Sequence, residues 1–265
     1  MNSNEKLRVL VVGLPKSGTT ILTYRISAAL NNAKIFFEPG KQHGLTDEKI
    51  HQDIYNYPVN KAVAKSLFIP AAGYDIQKIE KFYDKKIWIY RDPRDWIISR
   101  FLYKWKNLDN MQITKFCDKL KEKEENPERL AFHALMTPSF IDMSIFNYEK
   151  LVEVLQNLSD DWHIVKYEDF VDNKNDALNT YLNVQLDPTV EVAKKYNRVV
   201  RSKSYGNWKT WFNIHDIRFF RAKINHILKA LNYKPIDWSF DNPEKIDSNL
   251  GSEYVKKLHS SKLKM

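Results

Sequence analysis

The feature that most constrains this chain is the run Val9-Leu10-Val11-Val12-Gly13-Leu14-Pro15-Lys16-Ser17-Gly18-Thr19-Thr20. Four consecutive aliphatic residues read as a strand buried on both faces, the habit of parallel sheets. Gly13 and Gly18 then bracket a turn into a helix starting near Thr19, where backbone N–H groups converge on an anion-binding helix N-terminus. In the nucleoside-triphosphate loop pattern G-x-x-x-x-G-K-[ST], a lysine follows the second glycine and reaches the β/γ-phosphates. Here Thr19 holds that place and Lys16 sits three residues earlier, inside the loop. An anion is expected, with its charge met at a different point from that of an ATP triphosphate.

Short apolar runs alternate with helix-period segments along the rest of the chain, which predicts an α/β fold with a central parallel sheet and flanking helices. Strands are expected at 7–12, 34–37, 61–65, 86–90 and 163–166. The first helix should bury Ile21, Leu22, Ile26 and Leu30. A second should start at Asp92-Pro93, proline suiting the first turn, and bury Ile97, Ile98, Phe101 and Leu102. Residues 107–158 read as helical throughout, in pieces at 111–124, 127–136 and 148–158: a helical insertion over or beside the strand ends. Ile217, Phe220, Ile224, Ile227, Leu228 and Leu231 form one stripe of a late helix. Without repeats or a Gly/Ser-rich linker, 1–243 read as a single domain and 244–265 as a basic, mobile tail.

Charge and cysteine content narrow the function classes. A net charge of +9 favours anionic partners, part of it carried by Lys256, Lys257, Lys262 and Lys264 near the end. Zinc-finger spacing, an RNP motif and a helix-turn-helix are all lacking, so nucleic acid is not the expected partner. A lone cysteine, Cys117, forbids an intrachain disulfide, suits a reducing compartment and falls on a helix face rather than in a nucleophile's setting. Residues 1–8 are too polar for a signal peptide and no apolar run has the length of a membrane span, so a cytoplasmic location is expected. No metal-ligand cluster stands out, and no metal is expected.

Three further segments carry chemistry. In Ile87-Trp88-Ile89-Tyr90-Arg91-Asp92-Pro93-Arg94-Asp95-Trp96-Ile97-Ile98-Ser99, Arg91 closes a strand where open α/β sheets bind ligands. Ser99 follows eight residues later, about two helical turns on, so guanidinium and hydroxyl can hold a second phosphate from two sides. The plainer alternative pairs Arg91 with Asp92 or Asp95 and leaves Ser99 on a helix surface. Tyr167-Glu168-Asp169 closes another strand, with Tyr167 alternatively a core residue. The stretch Arg201-Ser202-Lys203-Ser204-Tyr205-Gly206-Asn207-Trp208-Lys209 has the make-up of a basic loop that closes over a charged ligand, or of a merely solvated one.

Together, and in order, these four segments resemble the PAPS-dependent sulfotransferases over about residues 9–233. Pro15, Lys16, Ser17, Gly18, Thr19 and Thr20 look like the family's 5′-phosphosulfate loop. Arg91 and Ser99 reproduce its 3′-phosphate clamp, Tyr167 opens its YED element, and Arg201, Lys203 and Gly206 belong to its R-x-x-x-x-G-x-W-[KR] cofactor-covering loop. Leu228-Lys229-Ala230-Leu231-Asn232-Tyr233 resembles the end of its last helix. The resemblance implies a P-loop-NTPase-like sulfotransferase fold and in-line transfer of a sulfuryl group from PAPS (3′-phosphoadenosine 5′-phosphosulfate) to an acceptor hydroxyl, with PAP as product and no metal. It also implies that Lys16 neutralises charge on the bridging oxygen as the S–O bond breaks.

Departures from the family shape the rest. The cytosolic phenol and steroid branch has a K-T-H segment whose histidine is the general base, whereas this chain reads Lys65-Ser66-Leu67. Ile21 stands where that branch has an adenine-stacking tryptophan. The candidate base is Glu38, in Phe36-Phe37-Glu38-Pro39, which resembles the glutamate-proline of carbohydrate and some bacterial sulfotransferases. A carboxylate beside an apolar pair can have a raised pKa; alternatively Glu38 orders its loop or pairs with a lysine. Lys65 is the candidate to orient the sulfuryl oxygens, or else a salt-bridge partner, and His43 is a reserve base. Glu38-Pro39 and the many Trp and Tyr residues favour a saccharide or glycoconjugate acceptor. The alternatives are a phenol, alcohol or lipid acceptor, a nucleotide kinase or NTPase, and a non-catalytic PAP- or polyanion-binding protein.

Overall fold

The computed structural model describes residues 6–39, 46–105, 109–194, 196, 202, 204–233 and 237–263. In chain order its elements are β1 (Leu7–Gly13), α1 (Thr19–Ala29), β2 (Lys34–Phe37), α2 (Glu48–Asn56), β3 (Lys61–Leu67), β4 (Lys85–Tyr90), α3 (Pro93–Lys104), α4 (Asn110–Glu125), α5 (Pro138–Gln156), β5 (Trp162–Lys166), α6 (Tyr167–Val171), α7 (Asp176–Leu182), α8 (Trp208–Trp211), α9 (Ile214–Ala230) and α10 (Ser252–Leu263). The chain divides into two compact units, Met1–Arg91 with Val154–Ala193 and Asp92–Glu153 with Lys194–Met265. No helix among the described residues is long and apolar enough to cross a membrane.

The first unit holds the sheet, all parallel, in the order β2-β3-β1-β4-β5. All five strands lie where the apolar runs place them, within two residues at either end. β1 sits in the middle because Val9, Leu10, Val11 and Val12 are apolar on both sides of the pleat, and all four are fully buried. Val9 and Val11 join Val63, Ile87 and Ile89 on one face, where they pack with Leu22 and Ile26 of α1, its C-cap Leu30, Phe170 of α6, and Leu178 and Leu182 of α7. At the opposite end of β1 from the glycine loop, fully buried Arg8 donates to the carbonyls of Leu7, Ile54, Tyr55, Tyr57, Val59 and Asn60, tying the α2–β3 connection to the sheet.

Strand order fixes where a ligand belongs. From β1 the chain continues to β2 on one side, and from β4 to β5 on the other, while β1 and β4 are neighbours. Their carboxyl ends therefore flank the topological switch point, where open α/β sheets bind ligands.

The second unit is helical, and its boundaries depart from the sequence reading in three places. Residues 127–136 do not form an α-helix; only a short 3₁₀ turn covers Phe132–Leu135. Its backbone is satisfied by side chains instead: Asp216 accepts from the N–H groups of Phe132 and His133, Asn213 donates to the Glu128 carbonyl, and buried Lys123 donates to the Pro127 carbonyl. α5 begins at Pro138, ten residues before the expected start, with the Thr137 hydroxyl accepting from the Phe140 N–H. Past Pro243, where a mobile tail is expected, Ser252–Leu263 form α10. Glu124 accepts from both the N–H and the hydroxyl of Ser252, and Tyr254, Val255 and Leu258 are buried. Cys117 is buried too, its thiol pushed up to about 11 by burial, in keeping with a packing role.

Candidate active site

The loop after β1 is built by two close approaches that only glycine allows. A Cβ on Gly13 would lie 2.4 Å from the Ile89 carbonyl oxygen of neighbouring β4. Gly18 has φ of 94°, and a Cβ there would lie 2.5 Å from the Tyr167 ring. Lys16 also adopts a left-handed conformation, φ 77°, which bends the loop back so that the N–H and hydroxyl of Ser17 both donate to the Leu14 carbonyl, at 3.1 and 2.7 Å. Ser17 thus braces the loop from a fully buried position. Gly18 then serves as N-cap of α1 without offering a side-chain cap to the first N–H groups of the helix. The first turn carries Thr19 and Thr20, so an oxyanion is the natural partner of these amides.

Two other strand ends converge on the same place. Tyr167 opens α6 straight after β5, and its ring is the surface against which Gly18 packs. The guanidinium carbon of Arg91, one residue past β4, lies 4.5 Å from the centroid of that ring. Tyr167 therefore stands between the loop and Arg91, and fixes both through packing and a cation–π contact. Tyr90, beside Arg91, has its hydroxyl pushed up by burial and then by the Glu168 and Asp169 carboxylates, so it stays protonated.

The ends of β2 and β3 bring the two remaining catalytic candidates together. Phe37 pairs with Lys65 in the ladder, and the Glu38 N–H donates to the Lys65 carbonyl at 2.7 Å. Glu38 has φ of 48°, which turns its side chain back over the strand, where Lys65 Nζ donates to Oε1 at 2.9 Å. This pair is largely enclosed, at 7% and 20% side-chain exposure for Lys65 and Glu38. Lys65 Nζ also lies 5.4 Å from the Phe37 ring, which contacts Tyr24 of α1 with centroids 5.7 Å apart. The sequence offered a lysine as one alternative partner for Glu38; the β2–β3 register makes that lysine Lys65.

The second unit places its own share of the candidates around α3. Asp92 caps the helix through the Arg94 N–H at 2.8 Å and also binds the Arg94 guanidinium, with Nη2 to Oδ2 at 2.6 Å. Burial pushes the Asp92 carboxyl up, and Arg94 opposes it. Arg94 lies over Trp208 at 4.0 Å and Trp238 at 5.0 Å. Ser99 is buried rather than on a helix surface. Asp95 is taken up by the N–H groups of Gly206 and Trp208, at 2.6 and 2.9 Å. Sequence reasoning missed this role of Asp95, although its i, i+4 spacing to Ser99 and the run of Asp92, Arg94 and Asp95 before an apolar helix were visible. Arg201, Lys203 and His43 lie outside the described residues.

No family model matches the chain, and no curated protein matches it. Among solved structures, it is similar to mouse sulfotransferase SULT7A1 complexed with PAP, at 15% identity and a TM-score of 0.52, covering 85% of this chain and 84% of that one. It also matches retinol dehydratase in a complex with retinol and PAP, at 15% identity and a TM-score of 0.49, over 87% and 83% of the two chains. A third match is a sulfotransferase domain from the curacin biosynthetic pathway, at 14% identity and a TM-score of 0.39, over 98% and 99%. The first of these shows that the chain has the sulfotransferase fold.

Proposed function

We propose that this chain, folded as a sulfotransferase, moves a sulfuryl group from PAPS to an acceptor hydroxyl. The observation that carries the reading is the convergence of the Gly13–Thr20 loop, Tyr167 and Arg91 at the β1/β4 switch point, joined by Gly18 against the Tyr167 ring and Arg91 over it. The PAP in the SULT7A1 complex supports the same nucleotide here. PAPS supplies an activated sulfuryl group on a 5′-phosphate together with a 3′-phosphate. The loop amides with Thr19 and Thr20 hold the 5′-phosphate, Lys16 neutralises the oxygen on which charge develops as the S–O bond breaks, and Arg91 with Ser99 takes the 3′-phosphate. Arg201, Lys203 and Gly206 complete the grip. Most of the rate then comes from positioning and electrostatics.

Glu38 accepts the acceptor's proton as its oxygen attacks sulfur, and Lys65 holds the carboxylate in place through Oε1. The acceptor reading toward a saccharide or glycoconjugate rests on Glu38-Pro39. The tryptophans lend it little, because Trp88, Trp96, Trp162, Trp208, Trp211 and Trp238 are all buried and offer no stacking surface. The test is transfer of labelled sulfate from PAPS to sugar, phenol, alcohol, lipid and peptide acceptors. Transfer to a saccharide with release of PAP is expected. Transfer confined to phenols or lipids would move the acceptor class, and Mg-dependent turnover of ATP with no transfer at all would refute the reading.

A further inference from the structure

We infer that Asp95 is a positioning residue for the 3′-phosphate end of the nucleotide site, an inference that rests on the reading just given. Asp95 is fully buried in α3, and its carboxylate accepts from the Gly206 N–H at 2.6 Å through Oδ2 and from the Trp208 N–H at 2.9 Å through Oδ1. The Trp208 N–H is the first donor of α8 and the Gly206 N–H lies just ahead of it, while the helix's own N-cap residue, Asn207, offers no side-chain cap. A carboxylate from a helix more than a hundred residues earlier thus does the capping, and as an anion at a helix start it is a strong acceptor.

The same turn is held a second time. Arg94, tied to Asp92, stacks over Trp208 and Trp238 and donates through Nη1 to the Asp237 carbonyl at 2.7 Å. Ser99 lies four residues after Asp95, on the same face of α3, and is buried with it. One helix therefore carries both a proposed phosphate ligand, Ser99, and the anchor of the Gly206–Trp208 turn. Gly206, at φ 76°, is where the chain enters that turn. Asp95 touches neither nucleotide nor acceptor; it sets the distance between Ser99 and the Gly206 backbone, and with it the fit of the 3′-phosphate.

Asp95→Asn keeps the shape and one acceptor oxygen but turns an amide donor toward a backbone donor. Titration calorimetry with PAP and with adenosine 5′-phosphosulfate, which lacks the 3′-phosphate, separates a positioning role from general damage. The expected result is at least a tenfold loss of PAP affinity, about 1.4 kcal/mol, with less than a threefold change for adenosine 5′-phosphosulfate. In turnover, KM for PAPS should rise by a similar factor while KM for the acceptor holds. Gly206→Ala is the second variant, for use if Asp95→Asn does not fold. Its Cβ enters open space, so only the left-handed backbone resists it, and it should give the same PAP-selective loss at three- to tenfold.

Equal losses for both nucleotides, or no loss in either variant, would overturn the role of Asp95. A parent protein that binds PAP no better than adenosine 5′-phosphosulfate would instead overturn the nucleotide reading, and the inference with it.

Discussion

Replacing Gly18 with alanine tests the geometry on which the anion site depends. Two costs are built into the position. With φ at 94°, an L-residue is forced into left-handed backbone, roughly 1–2 kcal/mol, offset in part by about 0.4–1 kcal/mol from a stiffer unfolded chain. The new methyl would also lie 2.5 and 2.8 Å from the Cδ2 and Cε2 atoms of Tyr167. Overpacking of that kind costs about 1–3 kcal/mol, and Tyr167 cannot retreat freely because Arg91 lies against its ring. A net destabilisation of about 2–4 kcal/mol is expected, measured by urea unfolding, with weakened PAP binding. In a Tyr167→Ala background the methyl has room, so the same substitution should cost only about 1 kcal/mol, a coupling of roughly 1–3 kcal/mol between the two positions. Tyr167→Phe keeps both ring carbons and should show no such relief. Were Gly18→Ala to unfold within about 0.5 kcal/mol of the parent, or cost the same whatever stands at 167, the packing argument would be wrong.

Glu38→Gln should leave PAP affinity intact and lower kcat by about 10²–10⁴, the range for a general base, as steady-state kinetics would show; an unchanged kcat would pass the role to another residue. Lys16→Ala should abolish sulfuryl transfer in a labelled-sulfate assay, and substantial residual turnover would remove Lys16 from the chemistry. Buried Lys123 has its ammonium pushed down to about 8 by burial, against 10.5 when solvated, with Asp216 opposing. The folded state loses this proton first, so stability should rise between about pH 8 and 10.5 and level off above, by about 3 kcal/mol. Lys123→Met should remove that rise, as denaturation across the pH range would reveal. Arg8→Met leaves six carbonyls without their shared donor and should destabilise the sheet by about 3 kcal/mol or more while sparing PAP affinity.

The strands were legible because a parallel strand covered on both faces must be apolar at nearly every position, and runs such as Val9–Val12 and Ile87–Ile89 have few other uses. The loop was legible for the same reason that it works: Gly13 and Gly18 mark the two approaches too close for a Cβ. α10 was hidden, since Tyr254, Val255 and Leu258 form a narrow apolar stripe among lysines and serines, and its start depends on Glu124, far away in the chain. The 127–136 stretch has a helical apolar rhythm, yet Asp216 and Asn213 supply its backbone partners from α9 and its cap. Partners brought by tertiary structure leave no local trace. The Glu38–Lys65 pair is of this kind, because it exists only through the β2–β3 register, and so is the capture of Gly206 and Trp208 by Asp95.

The most direct test of the account is competitive calorimetry of PAP, adenosine 5′-monophosphate and ATP–Mg on the parent protein. PAP should bind at least tenfold, about 1.4 kcal/mol, more tightly than either of the others, and Arg91→Ala should erase its advantage over the monophosphate. ATP–Mg binding as tightly as PAP, or an Arg91→Ala protein that still prefers PAP, would contradict it.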